Sequence, residues 1–256
     1  MIIPGFTLLV DDKDIDLYGM ALVSYETQSY VGRKTTGVDI PGAHGTQAVP
    51  SALSSSGFIA NVICTGQDVD EVHNRIRQFF AYMYSTQKSH KIVFTDDMSA
   101  VRYAILDSPE KYKVINGVDG ALAELKLTFY MLDPFTYQSE SDKLVKVAEH
   151  GAKILLENES YECPAIYALE NTGDEPVTSV SLIVNDELVT YSCRLNKGDK
   201  IVLDTIEYEV KLNGEVRLDY WDGEMPMLKN GENIIYQQNT EKAPLLMTVE
   251  FTKQWV

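Results

Sequence analysis

Leu122–Phe135 reads LAELKLTFYMLDPF, and this stretch decides the architecture. Side chains of a strand alternate between faces. Ala123, Leu125, Leu127 and Phe129 therefore make an apolar face, opposite the mostly polar Leu122, Glu124, Lys126 and Thr128. That is a half-buried β-strand. Pro134 has no N–H to donate to a ladder, so it ends the strand that runs through Met131, and residues 137–146 beyond it are polar and charge-rich. The stretch predicts a sheet upstream and a boundary at its end, dividing the chain into 1–135 and 136–256.

The rest of the sequence agrees with a mostly β fold. A chain of 256 residues has room for two domains of ordinary size. Short apolar segments punctuated by Gly, Asn and Asp read as strands at Ile59–Cys64, Lys91–Phe94, Ser179–Val184, Ile201–Leu203 and Leu246–Phe251. Downstream of Pro134, Asn171–Asp174, Asn185-Asp186, Asn196–Asp199, Asn213-Gly214 and Asn230-Gly231 supply turn signals at the spacing of an antiparallel β-sandwich.

Two segments depart from that pattern. Val69, Val72, Ile76, Phe79, Phe80 and Met83 recur at helical spacing, and Asp68 with Glu71 makes a capping-box-like start, so a helix is expected over about 68–84. Arg75, Arg77, Gln78 and Gln87 fall off its apolar stripe, as an exposed polar face would. Between Tyr30 and Gly57 the apolar content drops and glycines and prolines accumulate. This predicts an extended arm with a mobile tip, able to pack on a neighbouring subunit by strand addition.

The net charge is −16, with −5 up to Asp133 and −11 from Pro134 onward, which argues against a phosphate-binding surface. Cys64, Cys163 and Cys193 have no CxxC spacing and read as reduced, buried thiols, with a Cys163–Cys193 bridge left open. Met1–Val10 lacks a basic n-region, and no apolar window approaches a membrane span. A soluble chain made in a cytoplasm is expected.

Motifs for chemistry are missing. Neither phosphate-cradling glycine motif occurs, nor GxSxG, HExxH or HxH. His44 reads as a turn residue, His73 as helix surface, and His90 and His150 as loop residues. Asp11, Asp12, Asp14 and Asp16 lack the Gly and Glu of a calcium loop and read as a solvated turn between strands. No catalytic, metal or cofactor residue is expected. Carboxylates alone leave a cell-wall hydrolase open. The best candidate for a sugar or partner contact is the turn Tyr220-Trp221-Asp222-Gly223, since exposed aromatics stack on sugars.

Several segments resemble the distal tail protein family of siphophages that infect Gram-positive bacteria. Val38–Thr46 is similar to that family's Ile-Pro-Gly-x-x-Gly turn, and Phe129–Tyr137 to its Asp-Pro-Phe-x-Tyr junction. Asn171–Asp174, Leu195–Asp204, Asn213-Gly214 and Leu228–Tyr236 follow the order of its C-terminal domain, the last resembling its Leu-x-x-Gly-x-Asn-x-Ile signature. The resemblance implies an N-terminal β-sandwich or barrel-like domain with one α-helix and an arm, and a C-terminal galectin-like β-sandwich. It also implies a homo-hexameric ring in the virion's tail tip, contacting tail-tube, tail-tip, tape-measure and receptor-binding proteins. DNA would pass its channel without specific binding. Arg33, Ile40, Pro41, Gly42 and Gly45 are then the candidate ring-interface residues. The galectin sugar pattern His-x-Asn-x-Arg is missing. A carbohydrate-binding receptor module stands as the alternative and the cell-wall hydrolase as the third reading.

Overall fold

Alternating burial over Ser56–Gly66 and Gly120–Met131 pairs these strands without a slip, from Ser56 opposite Met131 to Gly66 opposite Ala121. The computed structural model describes residues 5–27, 53–86, 88–107 and 111–256, and the backbone of 36–39 and 46–49. The described part is mostly β, with one α-helix. Contacts divide it into Met1–Thr136 with Val256, and Tyr137–Trp255.

The first unit holds β1 (Leu8–Val10), β2 (Lys13–Asp14), β3 (Met20–Thr27), β4 (Thr36–Asp39), β5 (Thr46–Val49) and β6 (Ser56–Gly66). After β6 come α1 (Val69–Met83), β7 (His90–Phe94), β8 (Asp97–Leu106), β9 (Lys113–Gly117) and β10 (Gly120–Met131). Its main sheet runs β2-β1-β7-β8-β10-β6-β3, with β9 beside β10, while β4 and β5 pair, among the described residues, only with each other. Tyr25 of β3 stacks on Phe94 of β7 at 3.8 Å, and Phe58 of β6 meets the same Phe94 edge-on at 5.5 Å. Strands far apart in the order therefore meet across one core, and the sheet is curled and barrel-like. Ser56 and Gly57, placed at the end of the arm by their composition, already belong to β6.

The helix closes this core with Val72, Ile76, Phe79 and Met83, each burial contributing roughly 1.5–3 kcal/mol. The Asp68 carboxylate accepts from the Glu71 N–H at 2.8 Å, and the Glu71 carboxylate accepts from the Gln67 N–H at 2.6 Å. This reciprocal cap reaches one residue further back than the usual box. Arg75 is not a free surface cation. It pairs with Glu71 at 2.8 Å and donates to the Thr65 carbonyl at 2.6 Å, tying helix to β6.

His90 is the first residue of a strand and is buried, not in a loop as its neighbours in sequence suggest. Its Nδ1 lies 2.6 Å from Asp11 Oδ2, and its Nε2 lies 3.0 Å from the Met83 carbonyl at the helix end. Asp11 and Asp12 form the β1–β2 turn, both at positive φ. The Asp11 carboxylate also accepts from the Tyr82 hydroxyl at 2.8 Å and the Lys91 N–H at 2.9 Å. The acidic turn is therefore an anchor joining hairpin, helix and strand. Burial pushes this carboxyl up, but the bonds from His90, Tyr82 and Lys91 outweigh that and hold it below the usual carboxylate range. The same bond, added to burial, pushes the Tyr82 phenol up to about 12.

The second unit holds β11 (Thr136–Gln138), β12 (Asp142–Ala148), β13 (Ile154–Asn158), β14 (Ala165–Glu170), β15 (Val180–Val184) and β16 (Glu187–Tyr191). It continues with β17 (Lys200–Asp204), β18 (Glu209–Leu212), β19 (Glu215–Val216), β20 (Trp221–Gly223), β21 (Gly231–Asn239), β22 (Leu245–Phe251) and β23 (Gln254–Trp255). Two sheets, β12-β22-β14-β17-β18-β19 and β13-β21-β15-β16-β20, enclose a core that includes Tyr167, Leu182, Val184, Ile235 and Val249. This is a β-sandwich.

Asn185-Asp186 and Asn213-Gly214 are two-residue turns with positive φ at both positions, as right-handed strand twist favours. Asn230-Gly231 joins no hairpin, because Gly231 already starts β21. The loops are instead pinned by buried amides. Asn171 Nδ2 donates to the carbonyls of Glu175 at 2.9 Å and Leu195 at 3.0 Å. Asn233 donates to Lys229 and Gly231 carbonyls, each at 2.9 Å, and accepts from the Lys229 N–H at 2.8 Å. Gln237 donates to the Ala148 carbonyl at 2.9 Å. Each bond stabilises by roughly 1 kcal/mol net, and an orphaned partner costs more.

All three cysteines are free, so the Cys163–Cys193 bridge does not form. Cys64 and Cys163 are buried and Cys193 is half-buried. Burial is the leading cause that pushes the Cys64 and Cys163 thiols up to about 11.

Asp11→Asn is expected to destabilise the first unit by about 1–3 kcal/mol near pH 7, the cost of leaving a buried donor unpaired. A carboxyl with a lowered folded pKa contributes stability above its unfolded value and loses it as pH falls through the folded one. The difference between variant and wild type should thus persist at neutral pH and be lost only as pH falls from about 4 through the lowered folded value. Hydrogen exchange of the α1 amides, measured at both ends of that range, reads it.

Candidate interaction surfaces

Where the candidate residues lie follows from this frame. Arg33, Ile40, Pro41, Gly42 and Gly45 fall outside the described residues, as do His44 and the expected mobile tip of the arm. The backbone flanking that tip is described: Thr36–Asp39 pairs antiparallel with Thr46–Val49, from Thr36 opposite Val49 to Asp39 opposite Thr46. These two strands pair with no other strand among the described residues.

A second surface of the first unit lies on the outer face of β3, β6 and β10. The pairing of β3 with β6 shifts register between Leu22 and Ser24, leaving Val23 as an extra, bulged residue. Val23, Asn61, Ile63, Lys111, Glu124 and Lys126 line an open groove of about 410 Å³ there. Both signs of charge and two aliphatic side chains in one groove suit contact with protein better than with phosphate.

Tyr220 and Trp221 do not form a turn, and they do not act as a pair. Tyr220 ends a short 3-10 helix, Leu218–Tyr220, and is exposed. Trp221 starts β20, which pairs with β16 through Tyr191 opposite Trp221. A three-residue strand turns successive side chains to opposite faces, so the indole points to the core and packs against it. It lines an apolar cavity of about 20 Å³ with Tyr167, Leu182, Val189, Tyr191 and Ile201. That volume is about one water. Trp221 Nε1 is buried with no hydrogen-bond partner among the described residues. The neighbouring Tyr191 phenol, by burial first and the adjoining Cys193 thiol second, stays protonated far above its usual range. Gly223 at the end of β20 has φ +128°, and a Cβ there would meet the Leu188 carbonyl oxygen at 2.4 Å. Only glycine lets this edge strand lie so close to β16.

The remaining histidines are also structural. His73 Nδ1 lies 3.0 Å from the Tyr112 hydroxyl. His150 forms a bridge with Gln237, and its Nδ1 accepts from the Asn239 N–H at 3.2 Å. His73 is on the helix surface and His150 in the connection between β12 and β13, as expected, and each is also held by a hydrogen bond. Among the described residues no group of three or more His, Cys, Asp or Glu is placed to hold a metal ion. No helix among them is long and apolar enough to cross a membrane. The buried amides were missed as a class. The signal for Asn233 was its place inside the Leu228–Tyr236 segment, which marks a position that side-chain bonding demands.

Two family models match the chain in order. That of a phage tail protein RIFT-related domain covers residues 24–131, and that of a siphovirus-type tail component, C-terminal domain, covers residues 160–255. Among solved structures, the crystal structure of the Dit protein of phage SPP1 matches with a TM-score of 0.79 at 16% identity. It covers 98% of this chain and 99% of that one, and is described as a paradigm of the hub adsorption apparatus in phages infecting Gram-positive bacteria. That likeness shows the fold. A chain of the phage P2 baseplate, in its activated conformation with calcium, matches with a TM-score of 0.48 at 10% identity over 97% of each chain. No curated protein matches in sequence.

The split between the two aromatics is measurable. Trp221→Ala should lower the unfolding free energy by about 2–4 kcal/mol, somewhat under the value for a fully buried ring. Tyr220→Ala should cost about 1 kcal/mol or less. Chemical denaturation followed by the far-ultraviolet β signal distinguishes them, and equal effects would contradict the inward placement of the indole.

Proposed function

Because this chain belongs to the siphophage distal tail protein family and has the fold of its hub proteins, we propose that six copies close into a ring joining the tail tube to the tail-tip machinery. At the coarser level it is a structural component of a phage tail and baseplate. The observation that carries the finer reading is the order of two tail-protein domains on one chain, each with its own hydrophobic core. A subunit that must hold neighbours and partners at fixed distances needs rigid bodies, and each unit is one.

In this reading the first unit makes the ring. The β4–β5 pair, with Arg33, Ile40, Pro41, Gly42 and Gly45 around it, packs on the next subunit, and the bulged β3 face supplies the opposing surface. The channel carries DNA and the tape-measure protein. An acidic chain of net charge −16 offers phosphates no counter-ion and lets them pass. The second unit is free to meet receptor-binding or other tail proteins. The protein is made in the host cytoplasm, works in the virion and has no enzymatic role. The carbohydrate-binding alternative draws no support from Trp221, whose indole faces the core.

Light scattering on the purified protein, alone and with a tail-tube partner, should show a species of about 170 kDa, six copies of a 28.7 kDa chain. Negative-stain images should show a six-fold ring with a central hole. A monomer under both conditions would overturn the reading. Replacing residues 40–45 by a short glycine-serine link should leave the subunit folded and abolish the ring.

A further inference from the structure

On the sheet β13-β21-β15-β16-β20, the face turned away from the sandwich core is not uniformly polar. In an antiparallel sheet with one wet face, that face should carry polar side chains. Here Leu155 stands opposite Ile234, and Ile183 stands opposite both Tyr236 and Leu188. All five lie on the outer face, since their strand neighbours Leu156, Ile235, Leu182 and Val189 are core residues. They form one apolar band across four adjacent strands, stepping two residues along β21 from Ile234 to Tyr236 and spanning roughly 14 Å at the usual strand spacing. Leu155 and Leu188 are more than half exposed, at 56% and 54%, while Ile183 between them is only 6% exposed. The ends of the band are open to solvent and its middle is covered by its neighbours.

The charge beside it is unusual. Glu157 stands directly opposite Glu232 on the same face, one step along from the Leu155–Ile234 pair. Like charges placed opposite each other across two strands destabilise the pair. Both side chains are exposed, and neither holds an ion pair among the described residues. Asp222, opposite Thr190, adds a third carboxylate on this face. An apolar band next to unneutralised acid matches one kind of occupant, an apolar stripe flanked by cations.

We propose that this outer face docks a segment of another polypeptide whose aliphatic or aromatic anchors cover the Leu155–Leu188 band and whose lysine or arginine bridges Glu157 and Glu232. The band supplies the area removed from water, and the opposed carboxylates fix orientation and attract the partner before contact. The inference rests on the second unit alone, and stands whether or not six copies form a ring.

The probe is a labelled synthetic amphipathic peptide of leucine and lysine, with a leucine–glutamate counterpart, titrated into the intact protein by fluorescence anisotropy. The lysine peptide should bind and the glutamate peptide should not. Leu155→Ser with Leu188→Ser should weaken binding about ten-fold. Glu157→Gln with Glu232→Gln should weaken it several-fold and flatten its salt dependence. Val145→Ser with Val147→Ser, on the opposite sheet, should leave it unchanged. The Gln pair should also raise the melting temperature, since it relieves the opposed charges. Equal binding by the Ser pair, or a melting temperature lowered by the Gln pair, would overturn the proposal. So would dimerisation of the wild type abolished by the Ser pair, which would make the face a self-interface.

Discussion

The β6–β10 ladder is the constraint on which the first unit depends. It pairs Ser56–Gly66 with residues 121–131 along its whole length, and its alternation sends Phe58, Ala60, Val62, Cys64, Leu125, Leu127 and Phe129 to one side. A slip of one residue would turn that whole set to solvent. The helix follows immediately, and Gly66 packs so tightly on Glu71 and Val72 that the end of β6 and the start of α1 have one arrangement. The C-terminus of the helix then presents the Met83 carbonyl to His90, and His90 reaches Asp11 in the first hairpin. Ladder, helix and hairpin form one sequence of dependencies.

The second unit is organised differently. Its sheets supply the core, but its long connections are held by amide side chains inside the fold, at Asn158, Asn171, Asn233 and Gln237. Each donates to main-chain carbonyls at strand ends and in the connections between strands. Such pins fix a loop in one place without lengthening a strand, so a sandwich can keep irregular rims and still be rigid. For a structural piece of a phage tail, that rigidity carries geometry from one partner to the next.

What the sequence made legible were features with a local signature. The alternation of Leu122–Met131, the helical stripe from Val69 to Met83 and the Asn185-Asp186 turn depend on neighbours within a few residues. What stayed hidden depends on distant partners. Nothing around His90 announces Asp11, 79 residues away. Arg75 looked like a surface cation because the Thr65 carbonyl that it binds belongs to the preceding strand. Trp221 could be read either as a core residue or as a sugar or partner contact, because a strand of three residues is too short to show alternation. Composition marked an extended arm, but the pairing of Thr36–Asp39 with Thr46–Val49 was not read from it, and its reach to Gly57 was overdrawn, because β6 begins at Ser56.

The buried thiols have a consequence outside the cell. Only the deprotonated sulfur attacks disulfides or is readily oxidised, and Cys64 and Cys163, with values near 11, hold almost none of that form at neutral pH. Both sit among packed apolar neighbours that oxidants do not reach. In oxidising surroundings such thiols neither exchange nor oxidise readily. Cysteines kept inert in this way let the particle age without cross-linking its own parts.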